Sequence, residues 1–274
     1  MTRYSKPGIT QIRTVGRLIV AVLLLVIPVQ TAYSQTAEER GLEIAREMDA
    51  RDTGWRDMTS NMTMLLRNKR GDESKREMRL KSLEVTGDGD KSLTTFDTPK
   101  DVKGTSFLSH THVVGADDQW LYLPALKRVK RISSNNKSGP FMGSEFAYED
   151  LTSQEVDKYT YKYIRDDTAN GKQVFVVERY PVDKKSGYTK QVAYVDQEEY
   201  IPVRIVYFDR KGSLLKTLQF SDYHLYKDQY WRAHTMEMKN VQTGKSTVLT
   251  WTDITFGNDL SDRDFDRTSL KRAR

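Results

Sequence analysis

A mainly β fold (α+β) is expected here: one large curved antiparallel sheet, or an open barrel, of about ten or eleven strands with few helices. Three observations predict it. Between Trp55 and Phe256 the dominant pattern is apolar residues at alternate positions. Asn, Asp, Gly and Pro interrupt that pattern at short intervals, and strands joined by short turns must be antiparallel neighbours. Only Thr36 to Arg51 carries helical spacing.

Met1 to Ser34 follows the three-part pattern of a secretory signal peptide. Arg3, Lys6, Arg13 and Arg17 form its positive start, and Leu18 to Val29 its apolar run, ending near Pro28. Ala32-Tyr33-Ser34 supplies the small residues a peptidase reads. The run is shorter than the ~18 residues a membrane span needs, so cleavage after Ser34 is expected over an uncleaved anchor. The expected organisation is therefore a leader over residues 1–34 and one domain over 35–274, working in the periplasm. No cysteine follows the run, so the chain is not itself a lipoprotein.

The leader also accounts for most of the charge. The chain is +6, from 44 basic and 38 acidic residues. The leader's four basic residues leave 40 against 38 in the domain. That balance, together with export, excludes a nucleic-acid surface. With no cysteine there is neither a disulfide framework nor thiolate chemistry, so the core alone holds the fold.

In chain order, Thr36 with Glu39 predicts a capping box, and Leu42, Ala45 and Met48 share one helix face that Ile44 widens. Met58, Met62, Met64 and Leu66 then alternate with polar residues, as do Met78 and Leu80 before the Gly87-Asp88-Gly89-Asp90 turn. Leu93 to Phe96 and Thr105 to Val114 read as extended. Further strands are expected at Tyr159 to Tyr163, Val174 to Tyr180, Tyr188 to Val195, Ile201 to Asp209, Leu214 to Tyr223, Tyr230 to Val241 and Thr247 to Phe256. Asp262 to Leu270 is a polar tail docked by Phe265 and Leu270.

The stretch Asp117 to Leu151 organises the rest. Trp120-Leu121-Tyr122-Leu123 is a strand stopped by Pro124, and Lys127 to Ile132 a second, basic one. Ser133 to Gly139 is too polar for a core, yet Phe141, Met142, Phe146 and Tyr148 follow it, with Gly143 and Ser144 placed to start a short helix. Such a loop is either a plug that closes a core or a lid over a ligand. The sheet's apolar faces are rich in methionine, which adapts to variable apolar shapes, although ordinary core packing also uses it. One helix covers only part of so large a sheet, so the remaining face needs the loop, a partner or a ligand. The basic run Lys127, Arg128, Lys130 and Arg131 reads equally as a charged edge that resists aggregation or as a contact for anionic head groups or an acidic partner.

No catalytic constellation emerges. Gly143-Ser144 lies in no Gly-x-Ser-x-Gly elbow, no glycine-rich phosphate loop is present, and Glu198-Glu199 sits in a turn. Asp88-Gly89-Asp90 lacks the further ligands of a calcium loop. Of the four histidines, His110, His112, His224 and His234, the pair His110-Thr111-His112 offers two imidazoles, short of a closed metal shell. A non-enzyme without metal or cofactor is expected.

Several segments together resemble a known family: Asp118-Gln119-Trp120-Leu121-Tyr122-Leu123-Pro124, Arg131-Ile132, Phe141-Met142-Gly143-Ser144-x-Phe146-x-Tyr148-Glu149-Asp150-Leu151, and Ile201-Pro202 through Tyr207-Phe208-Asp209 with Gly212. Asp253 to Leu270 resembles its closing segment. The family is that of outer-membrane lipoprotein-sorting proteins, LolA-like periplasmic carriers of lipids and lipoproteins. The resemblance implies a half-open barrel of about eleven strands whose helices and loop lid an apolar cavity. It also implies a carrier that hands acyl chains between membranes, with an inner-membrane transporter of the resistance-nodulation-division (RND) type or an outer-membrane acceptor as partner. The competing expectation is an accessory subunit docked on a transporter. The cavity is expected at Met58, Met62, Met64, Phe96, Phe107, Trp120, Tyr122, Ile205, Tyr207, Met236 and Met238, and the lid at Phe141, Met142, Phe146 and Tyr148. Such carriers hold the lid shut with an arginine; Arg128 and Arg131 are candidates by location.

Overall fold

The computed structural model describes residues 1–5, 8 and 35–272. The apolar run and peptidase motif of the expected leader lie outside the described residues. Residues 35–274 form one compact unit.

The first helix, α1 (Ala37–Arg51), begins with the expected capping box: Glu39 N–H donates to Thr36 Oγ1 at 3.1 Å, and Thr36 N–H to the Glu39 carboxylate at 2.8 Å. Thirteen strands follow in a single antiparallel sheet. The first six are β1 (Asp57–Arg67), β2 (Glu73–Leu83), β3 (Lys91–Thr98), β4 (Ser106–His110), β5 (Asp118–Leu123) and β6 (Arg128–Ile132). The other seven are β7 (Tyr159–Ala169), β8 (Lys172–Pro181), β9 (Tyr188–Asp196), β10 (Pro202–Asp209), β11 (Leu214–Tyr226), β12 (Tyr230–Asn240) and β13 (Ser246–Phe256). The spatial order β6-β5-β4-β3-β2-β1-β13-β12-β11-β10-β9-β8-β7 leaves β6 and β7 as edges, so the sheet is open and has thirteen strands rather than about eleven.

That order explains the central stretch. Six strands meander outward from β1 to one edge, and seven meander back from the opposite edge until β13 pairs with β1. Residues 133–158 must therefore cross from one edge to the other. They cross one face and cover it. Gly143 and Ser144 start no helix. A 3₁₀ turn, Phe141–Gly143, ends there with Met142 in a left-handed conformation (φ 50°), and a second turn forms over Tyr148–Leu151.

The pleat sorts the apolar residues into two layers. On the loop-covered face, Met62, Met64 and Met78 join Phe96, Phe107, Leu121, Ile205, Tyr207, Leu218 and Met238 in one buried cluster. Since this cluster spans strands from both halves, the sheet curls around it. On the other face Leu93, Leu108, Trp120 and Tyr122 meet Phe265 and Leu270, so the tail docks where the sequence places its anchors, through a 3₁₀ turn (Asp262–Phe265) and α2 (Ser269–Arg272). Helix α1 lies flush on β7. A Cβ on Gly41 would meet the Tyr163 nitrogen at 2.8 Å, so only glycine allows that approach.

Candidate functional site

The loop-covered face is assembled by register. Met62 pairs with Met78, which pairs with Phe96, while Phe107 pairs with Leu121 one strand further on. Met62, Met64, Phe96, Phe107, Ile205, Tyr207 and Met238 share the buried cluster, and Met236 packs against it. Three expected members do not join them. Trp120 pairs with Leu108 and Tyr122 with Ser106, so the two-residue period turns both rings to the opposite face, under the tail. Leu121 is the residue of that strand which reaches the cluster. Met58 sits beyond the β-bulge between Thr59 and Asn61, half-buried and outside it.

The crossing segment inserts four side chains into this face. Phe141 (1% exposed) packs on Phe107 and Phe96 with ring centroids 5.1 and 5.9 Å apart, and Tyr148 closes the group at 5.6 Å from both Phe107 and Phe141. Phe146 is buried in the same cluster and Met142 packs at its margin. The segment satisfies much of its own backbone, with Phe141 N–H donating to the Phe146 carbonyl and Tyr148 N–H to that of Gly139. The face is thus filled by the protein's own side chains. Two surface pockets, of about 410 and 310 Å³, lie elsewhere, one between α1 and Tyr163, Asp166 and Phe175, the other beside Leu93 and Arg263.

Discrete polar contacts hold the segment down. Arg76 Nη1 donates to the Met142 carbonyl at 2.5 Å and lies 4.0 Å from the Met64 sulfur; burial lowers its pKa, and among the described residues no carboxylate forms an ion pair with it. Lys216 Nζ, its side chain 4% exposed, pairs with Asp150 Oδ2 at 2.7 Å and donates to the Glu145 carbonyl at 2.8 Å. It also lies over the Tyr188 and Tyr207 rings. Tyr188 donates its hydroxyl to Asp150 Oδ1 at 2.8 Å, and burial beside that carboxylate pushes the phenol well above its ordinary pKa. Glu149 accepts from Gly187 N–H and Ser186 Oγ, both at 2.8 Å; burial raises its pKa, and the two bonds work against that rise. Glu145 N–H donates to Thr247 Oγ1 at 3.0 Å, and Asn240 to the Glu145 carboxylate at 2.7 Å.

Arg128, Lys130 and Arg131 of the basic run lie on β6, an edge strand, and Lys127 precedes it as the left-handed end of a 3₁₀ turn. Lys127, Arg128 and Lys130 are exposed without an ion pair among the described residues, whereas Arg131 pairs with Asp118. Among the described residues, neither Arg128 nor Arg131 forms a side-chain hydrogen bond or ion pair with the crossing segment. His110 and His112 diverge: His110 Nε2 contacts the Phe265 carbonyl at 2.8 Å, while His112 lies between Asp88 and Asp118. The His112 bond holds Asp88 down at about 2.

Relatives share this architecture. A family model described as "Uncharacterized protein" matches residues 88–272. An outer membrane lipoprotein-sorting protein domain from Vibrio parahaemolyticus is 60% identical, over 86% of this chain and 100% of its own, with a TM-score of 0.85. The chain belongs to the family of outer-membrane lipoprotein-sorting proteins. A DUF1329 family protein from Desulfovibrio piger is 30% identical over 86% of this chain and 99% of its own, at a TM-score of 0.81. A LolA superfamily protein from Nitrosomonas europaea, 18% identical, shares the fold at a TM-score of 0.68 over 86% of this chain and 100% of its own. No curated protein matches the sequence.

In this LolA-like chain, sequence reasoning passed over the cations that hold the crossing segment. The signal was present. Arg76 stands on the apolar parity of Met78, and Lys216 on that of Leu218 and Phe220. A charge on a core-facing position must find a partner, because an unpaired one is costly to bury. Glu149 and Asp150, quoted for the resemblance, are the acids that anchor the segment.

Proposed function

We propose that the protein is a periplasmic carrier that shields the acyl chains of a lipid or lipoprotein against its methionine-lined face, with residues 133–158 as the lid. The observation that carries this reading is the kind of cover the face has. It is a crossing segment fastened by separable polar contacts, above side chains that repack readily. Opening exchanges Phe141, Phe146, Met142 and Tyr148 for acyl chains, so burial lost by the lid is returned by the cargo. One sixteen-carbon chain represents roughly 12 kcal/mol of gross transfer energy, at about 0.8 kcal/mol per CH₂. The donor membrane offers the same burial, so the carrier needs only a comparable surface and a lid of low opening cost. Arg76 is the latch in this reading, and its carbonyl acceptor is released without stranding a carboxylate.

Export through a cleaved leader over residues 1–34 belongs to the same proposal, as does handover with an RND-type transporter or an outer-membrane acceptor. The exposed Lys127, Arg128 and Lys130 on the β6 edge, with Arg131 beside them, suit an anionic head group or an acidic partner surface. Two of the carbonyl-holding cations, Arg76 and Lys216, have structural tasks, so no catalytic role is assigned to either.

Native mass spectrometry of the protein purified from its own periplasm without detergent tests the reading, with organic extraction to identify any adduct. A stoichiometric lipid or acylated peptide is the expected result. A bare mass, persisting after incubation with total membrane lipid, would favour a docked accessory subunit instead.

A further inference from the structure

We propose that Asp222, His224 and His234 form a surface site for one divalent transition-metal ion of the zinc class, on the outer turn of β11 and β12. This inference is independent of the carrier reading. It begins with an irregularity in the backbone. Along β11, Leu218 and Phe220 face the main cluster, but the next residue packed against it is Tyr223, three positions on rather than two. The slip falls at Asp222, whose φ is 54°. Aspartate tolerates the left-handed region, and here it marks where the strand changes the face its side chains take. Opposite, Met236 and Ala233 pack on the same cluster, so β12 slips as well.

The two slips bring three metal-binding side chains together. Asp222 Oδ1 lies 3.0 Å from His224 Nε2, and the His224 and His234 rings lie 4.2 Å apart at 40°. One donor atom from each of the three residues falls within 4.8 Å of the others. Ligands about 2.1 Å from a tetrahedral ion stand roughly 3.4 Å apart, so modest rotamer adjustment closes the set. Tyr226 Oη contacts His234 Nε2 at 2.8 Å, and among the described residues no hydrogen bond engages the ring's other nitrogen. This is the outer-sphere orientation that metal-bound imidazoles usually receive.

Two imidazoles and one carboxylate are the donor set of borderline divalent ions, and three protein ligands leave a position for water or a partner's donor. The Asp222 and His224 side chains are more than half exposed, so the ion exchanges with solvent. The site lies outside the methionine face and contains neither Arg76 nor Lys216.

The test is calorimetric titration of the chelator-stripped protein, purified without a histidine tag, with zinc chloride, and in parallel the absorption of its cobalt(II) form. One ion per chain is expected, with a cobalt ligand-field band. His224→Gln and His234→Gln should each weaken binding at least about tenfold, and Tyr226→Phe, acting only through His234, about tenfold. His110→Gln should leave binding unchanged. Zinc binding that survives both imidazole replacements, or no binding at all to the unaltered protein, would overturn the site.

Discussion

The two faces of the sheet are covered by different means. Residues 133–158 lie over a floor rich in methionine, and their fastenings are polar: Arg76 to a carbonyl, Lys216 to Asp150, Glu149 to a backbone N–H. On the other face the tail drives Phe265 and Leu270 into a floor of Leu93, Leu108, Trp120 and Tyr122. Its rim pairs, Lys81 with Asp264 and Lys91 with Asp262, involve partly exposed groups and contribute little. Both covers bury aromatic rings. The difference lies in what remains after the rings withdraw: an adaptable apolar surface with two largely buried cations on one side, and on the other a stiffer one whose polar holds are the partly exposed rim pairs and His110. A few discrete bonds can be exchanged for others, whereas close-packed shape is lost all at once.

Breaking the fastening at its most buried point should have the largest effect. Asp150→Ala leaves the Lys216 ammonium without its carboxylate, and a buried pair broken from one side typically costs about 3–5 kcal/mol. Denaturant unfolding should show that loss, with proteolysis directed to residues 133–158. Joint replacement, Asp150→Leu with Lys216→Met, should recover only part of the stability, because the Tyr188 hydroxyl, the Ala147 N–H and the Glu145 carbonyl lose their partners too. A double variant less stable than Asp150→Ala would mean that the unpaired ammonium is not what the single change exposes.

Phe265→Ala tests the other face. Removing a fully buried phenylalanine costs about 3–4 kcal/mol in chemical denaturation. The central stretch should keep its amide protection, because the two clusters are separated by the sheet. Loss of protection in residues 139–148 would show that the covers are not independent.

Arg76→Met should change global stability by no more than about 1 kcal/mol, since the thioether occupies similar apolar space and one hydrogen bond is lost. Hydrogen exchange at the Phe141 and Tyr148 amides should nevertheless accelerate by about tenfold. A latch predicts that split between local and global effects. Equal changes in both would make Arg76 an ordinary core residue.

A further effect is the pH dependence set by the turn before β3. Burial raises Asp90 from the usual carboxylate range to about 7. The folded state therefore holds this proton more tightly than the unfolded chain, and stability from this group falls as pH rises from about 4 to 7. Asp90→Asn should raise the melting temperature at pH 8 and change it little at pH 4. A gain at pH 4 that equals the gain at pH 8 would refute the assignment.

Much of the fold was legible in residue patterns. Alternation placed every strand segment, and Thr36 with Glu39 placed the helix start. Phe265 and Leu270 identified the docked tail because they interrupt an otherwise polar run. The central stretch betrayed itself by carrying large apolar side chains outside any strand. What alternation does not supply is which face of the sheet a parity points to. Trp120 and Tyr122 read as companions of Phe107, and only the β4–β5 register turns them away. The expected total of about eleven falls short of thirteen although Leu93 to Phe96, Thr105 to Val114 and Lys127 to Ile132 each read as extended. Aspartate at Phe146, the natural first choice for weakening a lid, is also ruled out as a clean probe by structure, since that ring is buried in the main cluster. Lys216 and Asp150 were invisible as a pair because they lie 66 residues apart.

The central claim is that the crossing segment must lift for acyl chains to bind. The chain has no cysteine of its own, so a single engineered disulfide can hold the segment down. Glu145 N–H bonds Thr247 Oγ1 at 3.0 Å, so Glu145→Cys and Thr247→Cys place the pair where the segment meets β13. The decisive measurement is uptake of a fluorescent fatty-acyl phospholipid by this variant, oxidised and then reduced. The account predicts that the oxidised form takes up no probe and that reduction restores uptake to the level of the unaltered protein. Equal uptake by the oxidised and reduced forms would contradict it.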